Sequence, residues 1–493
     1  MDRHEDPATI ASETRDFLLL REEASAKRVM TRGQFAVFLV LFAAIIAFAG
    51  VSPQYAILAL SILFSLFYIS VILFRSVVLA AIDRLGRDQW LPVPRLVDFS
   101  LPDGRYVILS ALYREADQVA DLVESLERLR WHVHRRMIVL VCEEGDGETI
   151  AVIERMLPRP GLRLLVVPAG SPRTKPRALS YALRHVEGEY LVVYDAEDRP
   201  YPDQLIEAAR RFEAGSDRLA CLQSPLMIDN VAASWLARLF AIEYDTLFRG
   251  ILPTLARWGA PIPLGGTSNH FRLPLLIEAG GWDSYNVTED ADLGIRLARR
   301  GFSCGTLICP TLEEAPSRLG PWTFQRTRWL KGWMQTLLVH LRQPLVTARE
   351  MGWRNFLLFQ IILTSLVVSV LVHPLFLIAY GYQMALLASG AKIGTLALII
   401  MGISNFNLAA GYLIYGSLAY AVETRLRRRE YLSLGMAGAL LLTPIYWMLI
   451  SWAGWRALFQ LIRDPHVWEK TPHGCSHRTR PWWMSKKPGR TPT

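Results

Sequence analysis

Apolar residues along this chain of 493 are gathered into blocks. Two apolar runs lie early, Phe35–Gly50 and Tyr55–Phe74, with Pro53 between them, and three lie late, Phe356–Leu387, Leu396–Val422 and about Gly435–Ile462. A bilayer core asks for about 20 apolar residues per helix. Between Asp83 and Arg354 no stretch meets that requirement. The pattern predicts an N-terminal segment over 1–34, two membrane helices over 35–82 and a water-facing domain over about 100–340. A C-terminal bundle of about three helices over 353–463 and a basic tail over 464–493 follow.

Inside the middle block the periodicity changes. Tyr106–Leu112, Met137–Cys142, Leu162–Val167 and Tyr190–Tyr194 are apolar runs of strand length, while Asp117–Leu129 and Lys175–His185 have helical spacing. Strand and helix in alternation predict an α/β domain with a mostly parallel sheet and flanking helices. Such sheets bind ligands beyond the carboxyl ends of their strands. Ala233–Leu252 carries an apolar stripe of helical spacing that reads either as core or as a face laid on a bilayer.

Composition agrees with a membrane protein: 52% of residues are hydrophobic and 20% charged, and the mean hydropathy is +0.22. The first apolar run follows about thirty polar residues and is itself followed by a second, which argues against a cleaved signal peptide. The net charge of +9 does not point to nucleic acid, because basic residues gather beside apolar runs: Arg84 and Arg87 after the second, Arg425, Arg427, Arg428 and Arg429 after the fourth. That bias puts the α/β domain on the cytoplasmic side of the cell's inner, plasma membrane. A fifth simple span would then carry Lys486 and Lys487 outside, so the path of Gly435–Ile462, which contains Pro444, stays open. Cys142, Cys221, Cys304, Cys309 and Cys475 have no framework spacing, and His473, Cys475 and His477 stand too close together for the usual zinc patterns.

The strand ends carry the candidate chemistry. Tyr113-Arg114-Glu115 follows the first strand, Glu143-Glu144-Gly145-Asp146 the second, and Asp195-Ala196-Glu197-Asp198-Arg199-Pro200 the fourth. One acidic turn is ordinarily a solvated loop, but several converging on one sheet edge suit a hard cation shared with substrate phosphates. Lys175 follows a turn and opens a helix, where an anion is readily held. Gly265–Asn269 is a small hydrogen-bonding loop, and its Ser268 and Asn269 are candidates for the acceptor side. Glu289, Asp290 and Asp292 open a helical run that ends in arginines, which alone would be an ordinary helix entrance matched to the dipole. Gln325, Arg328, Trp329 and Gly332 fall near one helix face, an amide, a guanidinium and an indole suited to a phosphate and a sugar ring.

In this order, Asp195–Pro200, Thr288-Glu289-Asp290 and Gln325-x-x-Arg328-Trp329 resemble the processive, membrane-integrated family 2 glycosyltransferases, among them cellulose, curdlan, chitin and hyaluronan synthases. The resemblance covers about Tyr106 to Gly332 and implies a GT-A-like domain set between membrane helices. It implies that Asp195, Glu197 and Asp198 hold Mg²⁺ or Mn²⁺ on the donor diphosphate, and that Asp290, with Glu289 beside it, is the catalytic base. Tyr113, Glu115, Glu143, Lys175, Asp195, Gln325 and Arg328 would contact the nucleotide-sugar, and Trp329 the acceptor, with Asp292 left structural. Glu143-Glu144 stands where many members have two aspartates, and Glu197 replaces the second aspartate of the metal element.

The implied reaction is inverting transfer from a UDP-sugar, UDP-glucose first, onto a growing β-glucan exported across the bilayer, with export partners left open. Two alternatives stand beside it: single transfer to a lipid carrier or membrane lipid, and an inactive scaffold in an export complex.

Overall fold

The computed structural model describes residues 24–82, 84, 102–390, 393–425 and 434–469. Arg87, Lys392, the arginines at 427–429, His473, Cys475, His477, Lys486 and Lys487 lie outside them.

Among the described residues ten strands form two sheets. β1 (Tyr106–Leu112), β2 (Arg136–Glu143), β3 (Leu162–Val167) and β4 (Tyr190–Val193) come first, then the short β5 (Arg199–Pro200). β6 (Leu219–Gln223), β7 (Leu226–Ile228), β8 (Asn269–Arg272), β9 (Ser303–Thr306) and β10 (Thr311–Glu313) complete the set. The main sheet runs β3-β2-β1-β4-β8-β6-β9, and β5-β10-β7 make a smaller one. β3, β2, β1 and β4 are mutually parallel, with Leu109 opposite both Val139 and Val193, so their carboxyl ends share one edge. β8 runs antiparallel between β4 and β6. This is the mostly parallel, helix-flanked α/β sheet expected from the alternating pattern. Four of the expected strands are present within a residue or so of their apolar runs, as buried runs of Val, Leu and Ile should be.

Among the described residues, four helices are long and apolar enough to cross a membrane: Arg32–Val51, Tyr55–Ile82, Trp353–Ala388 and Thr395–Arg425. The last apolar run is not a fifth. It divides into Leu434–Leu441 and Thr443–Arg463, with Pro444 in the first turn of the second, where its missing N–H costs nothing. Thr443–Arg463 carries Arg456, Gln460 and Arg463, and its small residues Ser451, Ala453, Gly454 and Ala457 face inward. The chain then returns to the α/β domain, where Lys331 Nζ donates to Val467 O at 2.7 Å and Gln335 Nε2 to Pro465 O at 3.0 Å.

The Ala233–Leu252 stripe is core. Leu236, Leu239, Phe240, Tyr244 and Phe248 are buried. The segment ahead of the first long helix is also tied to the α/β domain, as Asp283 accepts from Ser25 Oγ at 2.8 Å and Ala26 N at 2.6 Å.

Candidate active site

One cavity of about 850 Å³ opens at the shared carboxyl edge and runs on between the long apolar helices. Tyr113, Glu115, Glu143, Lys175, Asp195, Glu197, Glu289, Asp290, Gln325, Arg328 and Trp329 all line it. The strand ends supply Tyr113 to Glu197, and two helices bring Glu289, Asp290, Gln325, Arg328 and Trp329 to the same space.

The turn after β1 is fixed by Asp146, which accepts from Arg114 N at 2.5 Å while Arg114 itself sits at φ 54°. Glu143 receives Arg177 Nη1 at 2.9 and 3.1 Å, and burial, opposed by that guanidinium, raises its pKa. Lys175 pairs with Asp195 and donates to Gly266 O at 2.6 Å. Asp195, Glu289 and Asp290 together hold the Lys175 ammonium above its ordinary pKa against the cost of burial.

Asp198 does not face the cavity, contrary to its expected place among the metal ligands. It is buried, accepts from Asp195 N at 2.7 Å and from the Thr267 hydroxyl, and so pins the acidic turn from behind. Burial, then repulsion from Asp195 and Glu197, drives its pKa well up. Asp195 and Glu197 line the cavity. Among the described residues no three acid, histidine or cysteine side chains converge to hold an ion alone. The donor set fits a hard divalent ion that takes its remaining oxygens from a phosphate-bearing substrate. Glu313, at the end of β10, adds a carboxyl to the same wall, its pKa raised by burial and then by Asp198, Glu197 and Asp195. An excess of mutually repelling carboxyls is the surplus such an ion relieves.

Glu289 and Asp290 open the Glu289–Arg299 helix. Burial raises Asp290 to about 6, against Lys175 and Arg328, and raises Glu289 to about 8 with help from Asp290. The helix is anchored by Asp292, which accepts from Arg296 Nε at 2.6 Å and lies 3.1 Å from His340 Nε2. Asp292 is fully buried and structural, as expected. The loop ahead of the acids is held by the Leu319–His340 helix, through Asn286 Nδ2 to Thr336 Oγ1 at 3.0 Å and Val287 N to Gln335 Oε1 at 3.1 Å.

That helix also supplies Gln325, Arg328 and Trp329. Burial lowers the Arg328 pKa, and Glu289, Asp195, Asp290 and Glu197 pull it back. Its guanidinium lies 4.4 Å from the Trp468 ring. Trp329 stacks near Tyr244 at 6.2 Å, with the Arg326 guanidinium 5.0 Å from its ring.

Ser268 and Asn269 are not at the acceptor wall. Ser268 is fully buried and bonds Thr311 Oγ1 at 2.6 Å, and Asn269 is buried with its Nδ2 on Gly265 O. β8 starts at Asn269, so Ser268 serves the junction of the two sheets and Asn269 closes the loop at Gly265. Gly265, Gly266 and Thr267 line the cavity in their place.

Several lining residues escaped the sequence reading. Glu313 obeys the strand-end rule, but the three-residue strand before it is too short to read. Glu243 and Tyr446 escaped because they come from an expected core stripe and an expected span; they meet at Arg326, whose guanidinium grips Glu243 at 2.6 Å by both nitrogens. Trp468 sits in what looked like a solvated tail, and Arg75 in an expected membrane helix.

The chain matches the family model described as "Glycosyl transferase family group 2" over residues 190–462 and that of "Glycosyl transferase family 2" over 107–268. It is 26% identical over 287 residues to a beta-monoglucosyldiacylglycerol synthase of Synechocystis sp., covering 56% of this chain and 58% of that protein. To a poly-beta-1,6-N-acetyl-D-glucosamine synthase of Staphylococcus aureus it is 24% identical over 247 residues, 49% of this chain and 57% of that one. The chain thus spans under two thirds of the length of these curated relatives. Among solved structures, a mannosyltransferase from Pyrobaculum calidifontis, in complex with GDP-Man and Mn²⁺, aligns with a TM-score of 0.45 at 16% identity, over 81% of this chain and 99% of that one. With a family model covering more than half of it, the chain belongs to glycosyl transferase family group 2.

Proposed function

We propose that the protein is an inverting glycosyltransferase that moves a sugar from a UDP-sugar onto an acceptor hydroxyl presented from the membrane. The observation that carries this is the single cavity joining the acids at the sheet edge to the apolar faces of the long helices. A soluble acceptor would need only the first part of it.

Asp290, raised to about 6, is ionised at neutral pH yet basic enough to take a hydroxyl proton. The acceptor oxygen attacks the anomeric carbon from the face opposite the diphosphate, the bond to the diphosphate breaks, and the configuration inverts. Lys175 and Arg328 line the same wall and balance charge on the leaving diphosphate. Asp195 and Glu197 would hold Mg²⁺ or Mn²⁺, which supplies further charge neutralisation when bound. The turn at Tyr113–Glu115 and the Glu143–Arg177 pair form the nucleotide side. No covalent enzyme intermediate is needed.

Two acceptors fit. A growing polysaccharide, a β-glucan from UDP-glucose, is the one implied by the Gln325–Trp329 segment, and a relative is named as a polysaccharide synthase. A membrane lipid is favoured by the aliphatic lining where the cavity passes between the long helices, and another relative is named as a glycolipid synthase. In either case the four long helices cross the bilayer and the α/β domain lies in the cytoplasm. Incubating membranes with labelled UDP-sugars and each divalent ion, then sizing the product, separates the two. A lipid-extractable single-sugar product supports the lipid acceptor, a high-molecular-weight product supports the polymer, and no transfer from any UDP-sugar overturns the proposal.

A further inference from the structure

Arg75 lies in the Pro53–Ile82 helix, seven residues before its end, hence about 10 Å inside at 1.5 Å per residue. A guanidinium at that depth is costly, and such groups ordinarily face an interior and mark a ligand path. Arg75 lines the cavity. Its neighbour is the Tyr415 ring, 6.0 Å away. Among the described residues no carboxylate lies within ion-pair distance of Arg75. Glu243, which lines the same cavity, is committed to Arg326 and to the Tyr446 hydroxyl at 2.7 Å. Between the long helices the cavity is lined mainly by hydrocarbon, Val71, Ile72 and Leu408 included, with the polar Ser369, His373 and Asn407 set among it.

A neutral polymer offers such a cation hydroxyl acceptors but no charge, and a mainly hydrocarbon wall offers a polymer few hydrogen bonds. A lipid phosphate matches both, since its charge pairs with Arg75 and its chains cover the aliphatic wall.

We propose that Arg75 binds the phosphate of a lipid acceptor, whose chains lie along Val71, Ile72 and Leu408 and whose headgroup hydroxyl reaches Asp290. This rests on the reading of Asp290 as the base. In the transfer, the hydroxyl oxygen bonds to the anomeric carbon and the carbon–oxygen bond to the diphosphate breaks. Its electron pair departs on the nucleoside diphosphate, and the hydroxyl proton passes to the Asp290 carboxylate.

The test uses the full-length protein in detergent and reads lipid retention by native mass spectrometry, with no sugar donor present. Phosphatidylglycerol is compared with diacylglycerol of the same chains. Wild type is expected to prefer phosphatidylglycerol by about tenfold, a charge-assisted contact's worth; Arg75→Gln loses the preference and Arg75→Lys largely restores it. Leu408→Trp, which narrows the hydrocarbon wall, lowers retention of both lipids. Equal retention of the two lipids by wild type, or an unchanged preference in Arg75→Gln, overturns the proposal. So does displacement of phosphatidylglycerol by millimolar inorganic phosphate, which assigns Arg75 to a soluble anion. Asp290→Asn keeps the preference; if it also keeps transfer, the assignment of the base fails while the lipid site stands.

Discussion

Gly332 packs so tightly on Thr288 that a Cβ there would lie 2.4 Å from Thr288 Oγ1 and 2.7 Å from its nitrogen. Thr288 immediately precedes Glu289 and Asp290, and Gly332 lies one turn beyond Arg328 on the Leu319–His340 helix. Closeness of these two backbones therefore sets the separation between Asp290 and the Arg328 guanidinium. Gly332→Ala must push them apart. We expect kcat to fall about tenfold or more from misplacement of the base, with a stability loss of about 1–3 kcal/mol from overpacking. An alanine variant with wild-type kcat in membranes would remove this contact from the site's geometry.

Asp290 predicts a pH signature. With its pKa raised to about 6, transfer should rise with pH and reach half its plateau near pH 6. Glu289, raised to about 8, is still neutral there, so Glu289→Gln leaves this acid limb in place while Asp290→Asn abolishes transfer. The stability sign follows from the same shift. A carboxyl raised in the folded state holds a proton there that the unfolded chain has lost, so between about pH 4 and 6 lowering pH stabilises the fold through this group. Asp290→Asn should then raise Tm at pH 7 and do so less at pH 5. An acid limb at the ordinary carboxylate value would contradict both.

Asp292 stands one position beyond Ala291 in the same acidic stretch but behaves oppositely. It is buried between Arg296 at 2.6 Å and His340 at 3.1 Å, and Arg296 goes on to the Ala279 and Gly281 carbonyls at 3.0 and 2.8 Å. Removing one partner of a buried pair costs about 3–5 kcal/mol. Asp292→Ala should lower Tm sharply and reduce the yield of folded protein, whereas Asp290→Asn should not. Equal thermal stability of the two variants would refute this division.

Arg326 is gripped by Glu243 at 2.6 Å and by the Tyr446 hydroxyl at 2.8 Å, while its guanidinium lies 5.0 Å from the Trp329 ring. Trp329 is thereby positioned by a residue of the last helix. Tyr446→Phe removes two hydrogen bonds, one accepted from Arg326 and one donated to Glu243, without a cavity, and is expected to raise the acceptor KM several-fold with kcat nearly kept. Glu243→Gln, which leaves the buried cation unpaired, should cost both. If Tyr446→Phe left the acceptor KM unchanged while Glu243→Gln lowered only stability, the cluster would be a clamp between domains and nothing more.

The parallel half of the sheet was legible because strands buried on both faces are continuous apolar runs, and the acids after β1, β2 and β4 followed from the strand-end rule. β10 was not, since Thr311–Glu313 is too short to show a period, and Glu313 was lost with it. Ser268 and Asn269 were misplaced because a polar loop reads alike whether its hydroxyls face a cavity or bond Thr311 and Gly265. Asp198 shares spacing with Asp195 and Glu197, yet only the fold tells that it bonds backward to Thr267. Arg75 was hidden by the hydrophobicity of its own helix, which a window average absorbs.

Trp468 closes the list of what only the fold could place. Its ring lies 4.4 Å from the Arg328 guanidinium, on a stretch fastened by Val467 to Lys331 and by Glu469 to Arg456 at 2.6 and 2.7 Å. A desolvated cation–π contact is worth about 2 kcal/mol, and here its cation is Arg328, which lines the cavity. Without the indole, water reaches Arg328 and weakens its hold on a diphosphate. Trp468→Ala should lower kcat/KM for the donor about tenfold while leaving Tm within about 2 °C, because the residue lies at the edge of the core. Trp468→Phe should recover most of the loss, since it keeps a ring face. Recovery by Trp468→Leu to the same extent would show that shielding by bulk, rather than the ring's charge distribution, is what Arg328 requires.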